Sequence, residues 1–395
     1  MDARYFVVFG ACLTQFTIIG LLFSYSLFFK IFETEYGWSR TLLSSATSLA
    51  FLMMGVLAIL TGRLSDRYGP RRVLCVSGVL YGLGYAMLSQ ASEPWHLFLI
   101  FGTFIGLGMS THDVVTLSTI AGWFERRRGM MSGVVKVGTA AGQVAMPPIA
   151  AVLIVTLGWR MALMTLGLCA AALLLLAALS MSRPPSQSAA SGAPAAGLSF
   201  TDARRTRAFW TLCAIQFMFF PALMTIPLHI AVHGMDLGMT PAGAAGLIST
   251  VGAASIAGRL VIGTSVDRIG GRSAFILCFA PLIGSLFALS QTTETTALFV
   301  AVAVYGFAHG GLFTIVSPTV ATLFGMRAHG AIFGTVLFFG TIGGSAGPIA
   351  AGAVFDLTGG YDLAFIGLSA LAALGLMLVL TLPSAPLTKR AAPAA

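Results

Sequence analysis

Apolar runs dominate this chain and recur at a nearly constant length. Broken by charge, Pro or Gly, they give twelve stretches, at 5–29, 41–62, 71–90, 95–120, 129–156, 160–181, 208–231, 242–264, 273–290, 296–321, 330–354 and 362–382. Each lies near or above the ~20 residues with which an α-helix crosses the hydrocarbon core of a bilayer. The alternating segments of ~10 residues that mark a transmembrane β-barrel are missing. The pattern predicts an all-α polytopic membrane protein with twelve transmembrane helices. The first stretch is too long for a signal-peptide core and has no small-residue cleavage site after it, so a retained helix is expected there.

One segment breaks the pattern. "SRPPSQSAASGAPAAGLSFTDARRTR", Ser182 to Arg207, is small, polar and Pro-rich and ends in basic residues. It reads as a flexible linker. The chain is thereby divided into an N-terminal six-helix bundle (1–181), a cytoplasmic linker (182–207) and a C-terminal six-helix bundle (208–395). The halves also repeat: Asp66 and Asp267 are 201 residues apart, as are Gly129 and Gly330, and Gly133 and Gly334. Two pseudo-symmetric bundles joined by a loop are the architecture of a transporter that rocks about a central site.

Composition agrees and removes other classes. Of the 395 residues 57% are hydrophobic and 9% charged, with a mean hydropathy of +0.91. A soluble domain of this size needs more polar cover. A net charge of +9 suggests nucleic acid at first sight. Its distribution points instead to topology. With the N-terminus inside, seventeen of the 22 Lys and Arg residues fall on the cytoplasmic side, while Lys30, Arg40 and Arg160 fall outside. That is the positive-inside bias, and it places both termini and the linker in the cytoplasm. No nucleic acid partner is expected; the partners are membrane lipid and a transported solute, and the monomer is the expected functional unit. All five tryptophans sit at ends of the expected spans, where amphipathic rings prefer to lie. The five cysteines fall in apolar stretches without paired spacing and read as packing residues.

The densest charge lies in "GRLSDRYGPRR", Gly62 to Arg72, and in its weaker echo "GTSVDRIGGR", Gly263 to Arg272. The first matches, residue for residue, the loop between the second and third helices of the major facilitator superfamily, which the whole chain resembles. Three further stretches resemble the monocarboxylate transporter branch and its bacterial relatives, including the oxalate/formate exchangers. They are "GLLFSYSLFFKIFETEYGWSRTLLSSATSL", "WFERRRGMMSG" and "GRLVIGTSVDR", the last with an arginine inside the eighth helix. Two departures stand out. Animal members of the branch carry an acidic residue where this chain has Ser255, and the exchangers carry a lysine in the eleventh helix, where Thr335 to Phe355 has none. The resemblance implies rocker-switch alternating access. It also implies a secondary active transporter of a small organic anion, a monocarboxylate moved with a proton, in a bacterial inner membrane. The alternatives are an exporter of drugs or neutral solutes with the same fold, or an organic-anion exchanger.

Charge then nominates residues. Asp66, Arg67, Arg71 and Arg72, with Asp267, Arg268 and Arg272, form a candidate conformational latch. Gly62 and Gly69 allow a tight turn, the aspartates can face helix N-termini, and the arginines can bridge helix ends or headgroups. A plain topology signal would not need the aspartates. Within the spans, charge is costly and seldom idle. Arg259 lies ~12 Å along its helix from Asp267, near the midplane of a ~30 Å core, and its planar fork suits a carboxylate. It is the leading substrate-binding candidate; Ser255, Tyr305, His309 and Lys136 complete the set. Asp113 lies ~15 Å from the Trp123 end of the fourth helix and Lys136 ~10 Å into the fifth. They can form a neutralised pair or a proton site, or Lys136 can face the cavity as a second positive charge. Asp113 and His309 are the proton-coupling candidates. His112 is a second mid-span histidine, and His229 and His233 are expected at the interface. "GTIGGSAGP" and "VGTAAGQVAMPP" read as close-packed or bending helices, without the lysine of a phosphate loop. No nucleophile–base or metal-ligand constellation shows in the sequence, so neither an enzyme, a metal nor a cofactor is expected.

Overall fold

The computed structural model describes residues 3–124, 128–182, 197–325 and 328–384, without the side chains of some of them, Asp66 and Asp267 included. Helices α1 (Ala3–Tyr36), α2 (Arg40–Tyr68) and α3 (Pro70–Leu88) come first. A composite span follows: α4 (Pro94–Leu99), a π-turn (Ile100–Ile105), α5 (Gly106–Met109) and α6 (Thr111–Trp123). Next come α7 (Arg128–Leu157), α8 (Trp159–Ser180), the short α9 (Phe200–Ala203) and α10 (Arg207–Asp236). The chain ends with α11 (Pro241–Leu289), α12 (Thr295–Phe324), α13 (His329–Thr358) and α14 (Asp362–Leu380). The extended structure among the described residues is a single bridge, Gly197 to Gly325. The protein is therefore an all-α polytopic membrane protein.

Eleven helices among the described residues are long and apolar enough to cross a membrane, where the sequence pattern predicts twelve. The difference is α3. Arg71 and Arg72 open it, and Gly78, Gly82, Gly84, Tyr81 and Tyr85 dilute the rest of its apolar character. Its tyrosines are nevertheless fully buried, and Tyr81 donates its hydroxyl proton to the Ile18 carbonyl at 2.6 Å. A buried phenol with a satisfied proton is compatible with a protein interior and scores poorly on hydropathy. α11 supplies two of the eleven spans, Pro241–Val266 and Arg268–Leu289, and the helix is broken at Gly270 (φ 78, ψ 159). Gly69, which separates α2 from α3, has φ 90 and ψ 154. These two positions are 201 residues apart, so the sequence repeat extends to the backbone. Both need the left-handed region that glycine reaches without a Cβ penalty. Other ends are set by caps: Ser39 accepts from the Leu42 amide. Glu294 accepts from Thr296 and Ala297, bonds that hold its carboxyl below the usual range.

The chain forms two compact units. The first comprises the described parts of Met1–Gln187 together with Ile226–Ala253 and Pro348–Gly360. In it α1 packs on α7 through small residues: a Cβ at Gly138 would overlap the Cys12 carbonyl, and one at Gly142 the Phe16 carbonyl. The pair α3 and α8 meets the same way at Gly82 and Gly167. Such backbone approach is the usual helix contact in membranes, where oil-to-oil transfer gives no driving force. Val7, Ala11, Leu74, Val115, Ile120, Val135 and Met181 fill the core at one end. The second unit comprises the described parts of Ser188–Thr225, Ala254–Gly347 and Tyr361–Ala395. There α11 lies on α12 so closely that a Cβ at Gly258 or Gly310 would overlap the carbonyl of Phe307 or Ser255. Phe219, Phe275 and Phe279 cluster beside them, with ring centroids 5.8–6.4 Å apart.

Candidate functional site

In the second unit the close approach of α11 and α12 places Ser255 and Arg259, one turn apart, against Tyr305, His309 and Phe313. Arg259 is 7% exposed, and its guanidinium carbon lies 5.7 Å from the Phe313 ring centroid. Ser255 Oγ is 3.4 Å from His309 Nδ1, the long end of hydrogen-bond distance. His309 rests between Tyr305 and Phe313, with centroids 5.6 and 5.0 Å away. Tyr305 donates its hydroxyl to the Ala222 carbonyl at 2.9 Å, so its polar tip is engaged in α10. His309 Nε2 is buried and has no hydrogen-bond partner among the described residues. A buried polar atom left so is costly, and sites that wait for a ligand contain such atoms. A cation, an imidazole and a hydroxyl thus share one apolar-walled corner.

The first unit holds the other interior charges. Lys136 Nζ on α7 lies 2.5 Å from Asp113 Oδ1 on α6, so the two residues do pair. The same carboxylate oxygen accepts from Gln15 Nε2 at 2.7 Å and has His112 Nε2 at 3.5 Å. Gln15 is fixed in turn: Nε2 also donates to the His112 carbonyl at 2.9 Å, and its Oε1 accepts from Thr139 at 2.9 Å. Thr116 donates to the same carbonyl. The Asp113 side chain is 41% exposed, so the pair is not sealed from solvent or solute. Gln143, seven residues beyond Lys136 and fully buried, has neither amide atom hydrogen-bonded among the described residues. Gln15, Thr139 and Gln143 are absent from the sequence-based set. Helical spacing from Lys136 places 139 and 143 on its face of α7; nothing in the pattern singles out Gln15.

The residues nominated for the latch lie at the end of α2 and start of α3, and around the Gly270 break within α11. Arg71 Nη2 donates to the Leu179 carbonyl in the last turn of α8 at 2.7 Å, a favourable place for a cation. Arg67 lies over the Tyr68 ring at 5.2 Å, and Arg72 is exposed. Arg268 is exposed and Arg272 Nη1 lies 3.4 Å from Ser384 Oγ. The side chains of Asp66 and Asp267 lie outside the described residues.

A further charge cluster, in the first unit, was not singled out by the sequence. Arg40, at the start of α2, pairs with Glu33 (2.7 Å) and Asp236 (2.6 Å), and Lys30 reaches the same two carboxylates at 2.9 and 2.7 Å. Asp356 accepts from the Arg40 and Thr41 amides at 3.0 and 2.9 Å. His229, expected at an interface, is wholly buried in this region: its Nε2 lies 3.1 Å from Ser44 Oγ and 3.2 Å from the Pro348 carbonyl. His233 is 7% exposed. Partners from α2 and α13 satisfy a ring that apolar flanks alone would have left at the membrane surface.

Known proteins resemble this arrangement along its whole length. A family model described as Major Facilitator Superfamily matches residues 7–260 and 236–395. Monocarboxylate transporter 13 of Rattus norvegicus is 27% identical over 392 residues, covering 95% of this chain and 88% of that protein. The uncharacterized MFS-type transporter YhjX of Escherichia coli is 25% identical over 341 residues, 84% of each. Among solved structures, a mutant of the nucleoside transporter NupG superposes with a TM-score of 0.76 at 14% identity, over 95% of this chain and 99% of that one. A bacterial homolog to the human lysosomal transporter Spinster, inward-facing and occupied, gives 0.75 at 14% identity over the whole of both chains. At such identity the structural likeness is one of fold alone. The chain belongs to the Major Facilitator Superfamily, and is by that membership a membrane-embedded secondary transporter and not an enzyme.

Proposed function

We propose that the protein carries a small organic anion, a monocarboxylate moved together with a proton, by rocker-switch alternating access. The observation that carries this reading is Arg259. It is a buried guanidinium in α11, with Ser255 one turn before it and the unpartnered His309 Nε2 nearby. A carboxylate entering such a corner exchanges its hydration for charge-assisted hydrogen bonds. The likeness to Monocarboxylate transporter 13 supports the same substrate class. Asp113, tied to Lys136 and Gln15 yet partly open, is the proposed proton-coupling group, with His309 as the second. A proton on the carboxylate weakens its hold on Lys136.

The proposed architecture has α3 as the twelfth span, so that 1–181 and 208–395 are six-helix bundles joined by 182–207. Termini and linker lie in the cytoplasm of a bacterial cell, and the Arg40 end of α2 faces outward. The residues of the two "DR" loops then form the cytoplasmic latch. Uptake into proteoliposomes, with acetate, lactate, pyruvate and oxalate offered in turn and the internal pH recorded, tests the reading. The expected result is saturable uptake of a monocarboxylate accompanied by internal acidification. Uptake of a neutral solute instead, indifferent to carboxylates and to Arg259→Gln, hands the function to the exporter alternative.

A further inference from the structure

Arg40 is an unusual arginine for a helix start: its side chain has 0% exposure. Both edges of its planar fork are occupied. Along the side edge, Nε and Nη2 donate to Glu33 Oε1 and Oε2 at 2.7 and 2.8 Å. Along the end edge, Nη1 and Nη2 donate to Asp236 Oδ2 and Oδ1 at 2.6 and 2.9 Å. Lys30 Nζ bridges the two carboxylates, and the Phe355 ring covers the guanidinium at 3.5 Å. Asp356 stands apart in role, since it holds the amides of Arg40 and Thr41 and the Thr41 hydroxyl.

The four charges differ in origin. Lys30 and Glu33 belong to α1 and Arg40 to the adjoining α2, so they are neighbours in the chain. Asp236 arrives from the far end of α10, some two hundred residues later. Take Asp236 away and the remaining three charges sum to +1. Two parallel N–H groups of Arg40 and the Lys30 ammonium then converge on a volume shaped for one carboxylate. Such a vacancy solicits an anion, because a guanidinium withdrawn from water with one partner missing is unfavourable. The fork and the flanking ammonium select a planar two-oxygen anion over a spherical one.

We infer that Arg40 and Lys30 form a carboxylate-binding site, filled in this conformation by Asp236, which a small organic carboxylate occupies when α10 withdraws from α1 and α2. The inference rests on the proposed reading that the Arg40 end faces outward in an organic-anion transporter. It adds a receiving site at the outer mouth, distinct from Arg259, where the arriving anion replaces a carboxylate of the protein. Opening then leaves no bare guanidinium, and an external carboxylate favours the open state by mass action on this exchange.

Chemical rescue tests it without knowledge of the substrate. In a cysteine-free background, spin labels at Ser92→Cys, beside the Ala91 carbonyl that Tyr36 of α1 holds, and at Leu237→Cys, just past α10, both exposed, report the separation of the α10 end from α1. Asp236→Ala is expected to shift the distance distribution to longer values. Millimolar acetate should return it toward the unsubstituted distance in a saturable way, while acetamide and chloride should not. Adding Arg40→Gln should abolish the response. Asp236→Ser leaves a similar vacancy and serves if the alanine variant does not accumulate; a saturable rise in its thermal midpoint with acetate over acetamide is the parallel readout. An unchanged distance in both variants, or equal action of acetate and acetamide, overturns the inference. The readout involves no transport, so failed carboxylate uptake with acetate rescue intact counts against the proposed function alone. The converse result counts against this site alone.

Discussion

At the residue scale, the reading turns on what a single side chain can hold. Arg259 has a fork that a lysine lacks, and it is buried, at 7% exposure. Arg259→Gln is expected to lower carboxylate affinity by roughly thirtyfold or more, the equivalent of about 2–5 kcal/mol, with Arg259→Lys in between. Calorimetry on purified protein with a matched melting curve checks this; wild-type affinity in folded Arg259→Gln excludes the role. Asp113 and Lys136 make a second case. Each stabilises the other's charge, so each single substitution leaves an uncompensated charge in a partly open polar network of Gln15, His112 and Thr139. The double variant Asp113→Asn with Lys136→Met should therefore accumulate better than at least one of the singles. Losses that simply add mean that the pair contributes nothing as a pair. Proton-driven uptake that persists in the double variant removes Asp113 from the coupling scheme.

At the element scale, glycines decide which helices touch. The α3–α8 contact depends on Gly82 and Gly167, where a side-chain carbon would overlap the opposing backbone or Ala171. Backbone cannot yield as the end of a flexible side chain can. Gly82→Leu is expected to destabilise by at least the ~1–3 kcal/mol typical of overpacking, seen as a lower thermal midpoint and less monodisperse protein. Gly367, with nothing near its Cβ position, should accept alanine with little change. A Gly82→Leu protein as stable as its parent would mean that α3 is not held as described. The same helix shows why hydropathy undercounts spans. Buried tyrosines and glycines give α3 its packing surface, and a scale based on transfer to oil scores them as polar.

For the whole molecule, the proposed orientation makes a plain demand. Single cysteines at Ser92 and at Ser188, in a cysteine-free background, are expected to react with a membrane-impermeant maleimide from opposite sides of the membrane. Ser92 should label in intact cells and Ser188 only after permeabilisation. Labelling of both in intact cells sinks the topology, and with it the outward placement of Arg40. The charge count behind this expectation belongs to the molecular scale because it sums many weak preferences. No single arginine carries the proposed orientation, which rests on seventeen basic residues against three.

Much of the molecule follows from order along the chain alone. Span length, the Pro-rich interruption, the basic bias and the 201-residue repeat all arise from local sequence, since a bilayer forces every spanning segment to satisfy its own backbone. That is why the all-α class, most span limits and the glycine turn at Gly69 were legible, whereas Gly62, named with it, lies inside α2 and the matching turn at Gly270 emerged only from the backbone. The Asp113–Lys136 pair was legible too, because helical rise converts sequence offset into depth. Depth does not reveal azimuth or neighbours. Gln15 joins that pair only because α1 lies against α6 and α7, and Arg40 reads as one more basic residue in a short loop until α10 delivers Asp236 to its fork. His229 likewise looks interfacial until Ser44 and the Pro348 carbonyl meet its ring. Partners brought from distant helices are a product of packing, and charge becomes a site only where packing has excluded water and supplied the second half of each bond.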